Sequence, residues 1–245
     1  MNNKLLVANL NGEKTKDIPI WFLRQAGRHI PDYYSIRSKA NNFIDFCLNT
    51  DLIIESTKLP LKYYNIDAAI VFSDILMIPW AMKRDVKFVE KIGPTMKPMI
   101  PNETLIPKNV NIAKKLEQLG QAIQILRHSL PETISLIGFA GAPWTLACYM
   151  IEGGSSKDFI NTRKSVWNAN KWFTELIEIL TELISDKLEM QAKAGADVLM
   201  IFDSWSHMIP NNFFENYAIN PIANIVNDLR SRKVATPIIG FPFKA

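Results

Sequence analysis

Two arginines stand four residues apart in the string Trp21-Phe-Leu-Arg24-Gln-Ala-Gly-Arg28, with Gly27 between them. A guanidinium is always charged and presents a rigid fork of donors that fits a carboxylate through two hydrogen bonds. Two such forks in one short segment form a clamp for a polyanionic ligand. The alternative is a pair of surface arginines held in ion pairs, and spacing alone leaves both open. Other residues could join such a clamp, and each also has an ordinary reading. Asp74, after Val71-Phe72-Ser73, and Ser204, after Phe202-Asp203, read as helix caps. Tyr149, flanked by Cys148 and Met150, reads as a core residue with a satisfied hydroxyl. Arg37 reads as a surface charge. Gly27, Gly138 and Gly141 allow close backbone approach of a ligand, or serve turns. His207, a lone histidine close to Ser204, reads as structural or exposed rather than as a general acid.

The elements that must position these residues follow from hydrophobic patterning. Five apolar runs predict strands: Ile18–Leu23, broken only by Pro19, then Ala68–Phe72, Ile134–Phe139, Val198–Phe202 and Pro237–Gly240. Helices are predicted near Asp51–Tyr64, Val110–Ser129, Ser155–Asn168, Lys171–Ala194 and Asn211–Ser231, with Thr50-Asp51 as one start and Gly195-Ala196 as one close. The Pro-, Lys- and Met-rich stretch Ile78–Pro107 reads as a long excursion, with a short strand at Val86–Val89. Strands apolar throughout, alternating with helices, predict a parallel α/β sheet, and a TIM (β/α)8 barrel is the natural candidate. In such folds ligands sit at the C-terminal strand ends. Arg24 and Arg28 follow the first predicted strand, Asp74 the second, Gly141 and Tyr149 the third, and Ser204 the fourth, so four motifs are expected to converge on one rim.

Composition narrows the function classes. The 245 residues are 48% hydrophobic, which suits a single domain with a sizeable core, and 28 Lys and Arg against 24 Asp and Glu leave a net charge of +4. That mild excess suits an anionic ligand. No dense basic run is present, which argues against nucleic acid as partner. No run of about 18 apolar residues predicts a membrane span, and the N-terminal apolar stretch is too short for a signal peptide. Cys47 and Cys148 form no metal-binding spacing and read as reduced cysteines of a cytoplasmic protein.

Four strings in order, IWFLRQAGRHIPDYYSIR, FSDIL, GFAGAPWTLACYMIEGG and IFDSW, resemble the uroporphyrinogen decarboxylase family over almost the whole chain. The resemblance implies a cofactor-independent carboxy-lyase of porphyrin and haem biosynthesis, dimeric in the full-length family, with no metal site. Its substrate is a polyanionic tetrapyrrole, uroporphyrinogen III, whose four acetate side chains become methyl groups to give coproporphyrinogen III. It implies Arg24, Gln25, Ala26, Gly27, Arg28, Arg37, Asp74, Tyr149 and Ser204 as substrate contacts. Asp74 would accept hydrogen bonds from the pyrrole N–H groups, and Tyr149 and Ser204 would donate to carboxylates. Arg24, Arg28, Asp74 and Tyr149 would take part in catalysis.

Pro237-Ile-Ile-Gly-Phe-Pro matches the family's fifth strand, and Phe243-Lys244-Ala245 stands where the family continues Arg-Gly-Ala. The expectation is therefore about the first five βα units, a domain truncated at its C-terminus and lacking the family's functional histidine, whose role His207 does not inherit. Such a chain alone is expected to be a poor decarboxylase. The rivals are an inactive or partner-dependent fragment and a superfamily methyltransferase, which would need a His/Cys zinc site that no HxC string supplies.

Overall fold

The computed structural model describes residues 4–168 and 171–244. Four of the five predicted strands form: β1 (Ala68–Ile70), and, after an excursion holding β2 (Lys87–Val89) and β3 (Gly93–Thr95), β4 (Ser135–Gly141), β5 (Val198–Asp203) and β6 (Ile238–Pro242). They make one parallel sheet in the order β1-β4-β5-β6, with Ile70 opposite Ile137, Phe139 opposite Met200 and Met200 opposite Ile239. All seven residues of β4 are buried, as a central strand covered by helices requires. The long helix Lys171–Lys193 packs on β4 and β5 through a stripe containing Phe173, Leu176, Leu180, Ile184 and Leu188. Each crossover thus carries helices that hide the sheet, and the strand ends after β1, β4 and β5 share one rim.

The run Ile18–Leu23 is not a strand. Pro19 has no N–H to donate, and Ile18 and Ile20 are exposed. The segment instead exchanges two bonds with one residue: Ile20 N–H donates to Asp67 Oδ2 (2.7 Å) and Asp67 N–H donates to the Ile20 carbonyl (2.7 Å). Further on, the Gln25 side chain takes over the strand's role. Its Nε2 donates to the Ala68 carbonyl (2.8 Å) and its Oε1 accepts from Ile70 N–H (3.0 Å), covering the outer edge of β1 with an amide side chain. The described sheet therefore has four strands, with β1 and β6 at its edges.

Other differences have local causes. The helix after residue 48 is capped by Asn49, which accepts from Leu52 N–H (3.0 Å), one residue before the expected start. The predicted helix Val110–Ser129 breaks at Leu116 into Ile112–Lys115 and Glu117–Ser129. The region predicted as Asn211–Ser231 begins with a 3-10 turn and a π turn, Glu215–Ile219, before the α-helix Asn220–Ser231. Pro221 at its start has no N–H for an α-type bond. Gly195 closes the long helix as expected, at φ +108°. Within the excursion, β2 and β3 form an antiparallel hairpin, and Met96 N–H donates to the Gly153 carbonyl (2.8 Å). Short helices at Leu5–Leu10, Asp32–Arg37, Phe43–Cys47 and Met77–Ala81, and the buried helix Pro143–Glu152, carry too little periodicity to be read in advance. Among the described residues no helix is long and apolar enough to cross a membrane.

Candidate active site

A cavity of about 920 Å³ opens at the C-terminal ends of the parallel strands. Its apolar floor comes from three neighbouring strands: Phe139 on β4, Phe202 on β5 and Phe241 on β6, with ring centroids 5.3 Å apart for the first pair and 6.0 Å for the second. A second wall is made by Tyr33, Phe43, Phe72 and Phe88. The rings of Phe72, Phe43 and Phe46 pack within 4.5 to 6.2 Å of one another, anchoring that wall in a small core that includes Ile30 and Ile36.

Polar groups enter this apolar bowl from separate segments. Arg24, Gln25, Ala26, Gly27 and Arg28 line it from the loop before β1, Asp74 from the turn after β1, Tyr149 from the helix after β4, and Ser204 from the loop after β5. Arg24 and Arg28 are exposed, and neither forms an ion pair among the described residues, so the ion-pair alternative does not account for them. Gln25 reaches the cavity wall, but its amide is already engaged with β1. Arg37 is not brought to the cavity lining. As the last residue of its helix it donates to the Ala40 carbonyl (3.0 Å) and lies 5.9 and 5.6 Å from the ring centroids of Phe43 and Phe46, bracing the wall from behind.

Asp74 makes a turn rather than the expected helix cap: its Oδ1 accepts from Leu76 N–H (2.8 Å), and Leu76, not Asp74, stands at the N-cap of the helix Met77–Ala81, while Asp74 lines the cavity. Burial pushes its pKa up, against the pull of the Leu76 N–H and the Lys187 ammonium. Burial also raises the pKa of the Tyr149 hydroxyl, keeping it a proton-bearing donor. The loop carrying Ser204 is fixed by its neighbour: Asp203, fully buried, accepts from Thr145 Oγ1 (2.7 Å), and Thr145 Oγ1 in turn accepts from Trp205 N–H (3.1 Å). Ser73 Oγ, on a cavity-lining residue, is buried without a hydrogen-bond partner. Such an orphan group is suited to satisfaction by a polar ligand.

Two of the glycines have other duties than ligand approach. A Cβ on Gly138 would lie 2.4 Å from Gln191 Oε1, and one on Gly141 would lie 2.8 Å from Leu146 and 3.0 Å from Ile75. Both are glycine because a helix or loop packs against the strand there. Gly27, by contrast, lines the cavity, with only His29 near, at 3.5 Å. His207 is exposed, lies outside the cavity lining, and packs on Trp205 and Phe243.

Sequence reading passed over Lys187 and Gln191. Both stand on the apolar stripe of the long helix and are fully buried. A polar residue at a core position of an amphipathic helix was the available signal, since burial demands a partner. Gln191 finds one in the Phe139 backbone, with its Oε1 accepting from N–H (2.7 Å) and its Nε2 donating to the carbonyl (2.9 Å). Beyond Ile70, where β1 ends, this amide completes the edge of β4.

The comparisons with known proteins agree with this arrangement. The family model for uroporphyrinogen decarboxylase (URO-D) matches residues 1–245. A uroporphyrinogen decarboxylase from Maricaulis maris is 40% identical over 242 residues, covering 99% of this chain and 70% of the relative. One from Rickettsia conorii is 41% identical over 98% of this chain and 69% of its own length, and one from Brucella canis is 40% identical over 99% and 71%. A methyltransferase from Methanosarcina mazei superposes with a TM-score of 0.76 at 16% identity, over 98% of this chain and 69% of its own. That likeness is one of fold: parallel strands alternating with helices, as in the TIM-barrel family. At 40% identity along almost its entire length, with a complete family match, the chain belongs to the uroporphyrinogen decarboxylase family.

Proposed function

We propose that the cavity binds uroporphyrinogen III and that the chain acts as a carboxy-lyase, converting its four acetate side chains to methyl groups to give coproporphyrinogen III in haem biosynthesis. The observation that carries this reading is the chemistry of one bowl: an apolar floor of phenylalanines, two arginines without ion pairs among the described residues, and one carboxylate, Asp74, all lining the same cavity. A flat apolar macrocycle with a carboxylate fringe and N–H groups at its centre matches each part. The arginines hold the fringe, and Tyr149 and Ser204 donate to further carboxylates. Asp74 accepts from the pyrrole N–H groups.

The reaction needs a place for the electrons that carbon dioxide leaves behind. A pyrrole ring protonated at the α-carbon next to the carbon bearing the acetate supplies it, because the cation then extends to the acetate-bearing carbon. The bond to the carboxylate breaks, its electron pair flows into the cationic ring, and a second proton on the former acetate carbon completes the methyl group while the ring carbon gives up the first. Asp74 stabilises the ring cation, and its contribution is greatest in the transition state. Arginine is too weak an acid for proton delivery at neutral pH, so Arg24 and Arg28 act as clamps. The reaction is placed in the cytoplasm, a reading supported by two free, buried cysteines.

The test is anaerobic incubation of the purified chain with uroporphyrinogen III, followed by oxidation and chromatography of the porphyrins by carboxyl number. Loss of carboxyls one at a time is expected, at the low rate foreseen for this chain alone. A folded chain that neither binds nor decarboxylates this substrate overturns the reading.

A further inference from the structure

Where β1 ends at Ile70, the ladder between β1 and β4 stops and the two strands separate. Two polar side chains from one face of the long helix enter the gap, one turn apart. Gln191 completes the β4 backbone. Lys187 extends further: its Nζ donates to the Asp74 carbonyl (3.4 Å) and lies 5.4 Å from the Phe139 ring centroid. The lysine has no exposed surface and makes no ion pair among the described residues. A buried ammonium without a close counter-ion is costly, and an apolar side chain of the same length would fill this core position without that cost.

We propose that Lys187 is a positioning residue, whose ammonium fixes the turn carrying Asp74 and keeps the Asp74 carboxylate ionised toward the substrate. The role rests on the decarboxylase reading only in naming what Asp74 faces. The groups around the pair are few. Cys47 comes from the helix Phe43–Cys47, Tyr149 from the helix Pro143–Glu152, and the cations Arg24 and Arg37 stand further out. Asp74 is the one carboxylate whose charge acts on Lys187, with Cys47 beside it. Burial lowers the pKa of Lys187 to about 8, while the charges of Asp74 and Cys47 pull it up. Burial raises Asp74, and Lys187 opposes the rise. Below about pH 8 the ammonium is charged and holds Asp74 in its ionised form. Loss of that charge moves the protonation of Asp74 to higher pH.

The test replaces Lys187 by a neutral chain of similar length, Lys187→Met, and follows the Asp74 carboxyl by carbon-13 NMR titration of both proteins. The Asp74 pKa is expected to rise by at least about one unit. With uroporphyrinogen as substrate, the low-pH limb of kcat should move up by the same amount while KM, set by the arginines, changes little. A folded Lys187→Met protein with unchanged Asp74 titration overturns the proposal. If that variant does not fold, the reciprocal measurement decides: Asp74→Asn must lower the Lys187 pKa, read from labelled lysine Cε resonances, because coupling between two sites is mutual. An unmoved lysine overturns the proposal equally. Absence of turnover in the unmodified chain would count against the decarboxylase reading alone, since the titrations need no substrate.

Discussion

Gly138→Ala is expected to destabilise the protein strongly. Its new Cβ would lie 2.4 Å from Gln191 Oε1, 3.1 Å from Gln191 Cβ and 3.2 Å from Gln191 Cδ, so the amide cannot stay in place. The far end of a flexible chain can move, but here moving it breaks both bonds to Phe139, at 2.7 and 2.9 Å, in a wholly buried place. Overpacking costs about 1–3 kcal/mol. Stranding a buried N–H and carbonyl adds about 1–3 kcal/mol for each group left without a partner. The sum is roughly 3–9 kcal/mol, a large part of the ~5–15 kcal/mol that holds a typical domain. Urea denaturation followed by far-UV circular dichroism measures it. Because Phe139 floors the cavity, substrate affinity should fall too at temperatures where the variant is folded. A loss of less than about 1 kcal/mol would refute the reasoning, since it would mean that Gln191 has another resting place.

Asp74→Ala, at temperatures where the variant is folded, should lower kcat by roughly 10²-fold or more, measured as coproporphyrinogen formed per unit time; near-normal turnover would remove Asp74 from the mechanism. Asp203 has its carboxyl raised by burial to about 6, against the hydrogen bond from Thr145. A carboxyl that binds its proton more tightly when folded gives stability that is complete below its unfolded value and lost as pH rises through 6. Denaturation curves between pH 4 and 7 should therefore show a fall of roughly 3 kcal/mol that Asp203→Asn abolishes, and an unchanged slope in that variant would count against it. Asp197 sits at the opposite end of the sheet, paired with Lys4 and Arg127 and accepting from Leu136 N–H (2.8 Å). Asp197→Ala should cost about 2–4 kcal/mol of stability and leave KM unaltered, so an altered KM with normal stability would contradict that placement.

Long apolar runs were legible because burial on both faces leaves little else for Ala68–Phe72, Ile134–Phe139 or Val198–Phe202 to be. The rim residues were legible because four strings place them after successive elements. Ile18–Leu23 misled for a physical reason: Ile18, Ile20, Phe22 and Leu23 stay exposed, and the bonds a strand would make are made by Asp67 and Gln25 side chains. Arg37 reads locally as a surface charge, and only the family resemblance makes it a ligand contact; nothing in its sequence neighbourhood reveals that Phe43 and Phe46 pack beneath it. Gly138 looked like a turn or ligand glycine because its constraint comes from Gln191, 53 positions away in the chain. Lys187 was hidden by the same distance: its partner, Asp74, lies on a different element.

The attachment of the arginine segment by the Gln25 amide also sets how that segment can move. A backbone ladder must be unzipped bond by bond, whereas this tether is a single rotatable side chain bearing two hydrogen bonds. On either side the chain is pinned, by Ile20 on Asp67 and by the wholly buried Ile30. Rotation of one glutamine therefore releases a short latch without disturbing its anchors. At a net cost of about 1–3 kcal/mol for its two bonds, such a latch would stand open in roughly 0.6 to 16% of molecules at any moment. Both guanidinium groups ride on it, so a bulky polyanion can be admitted and its product discharged while the sheet behind keeps its register.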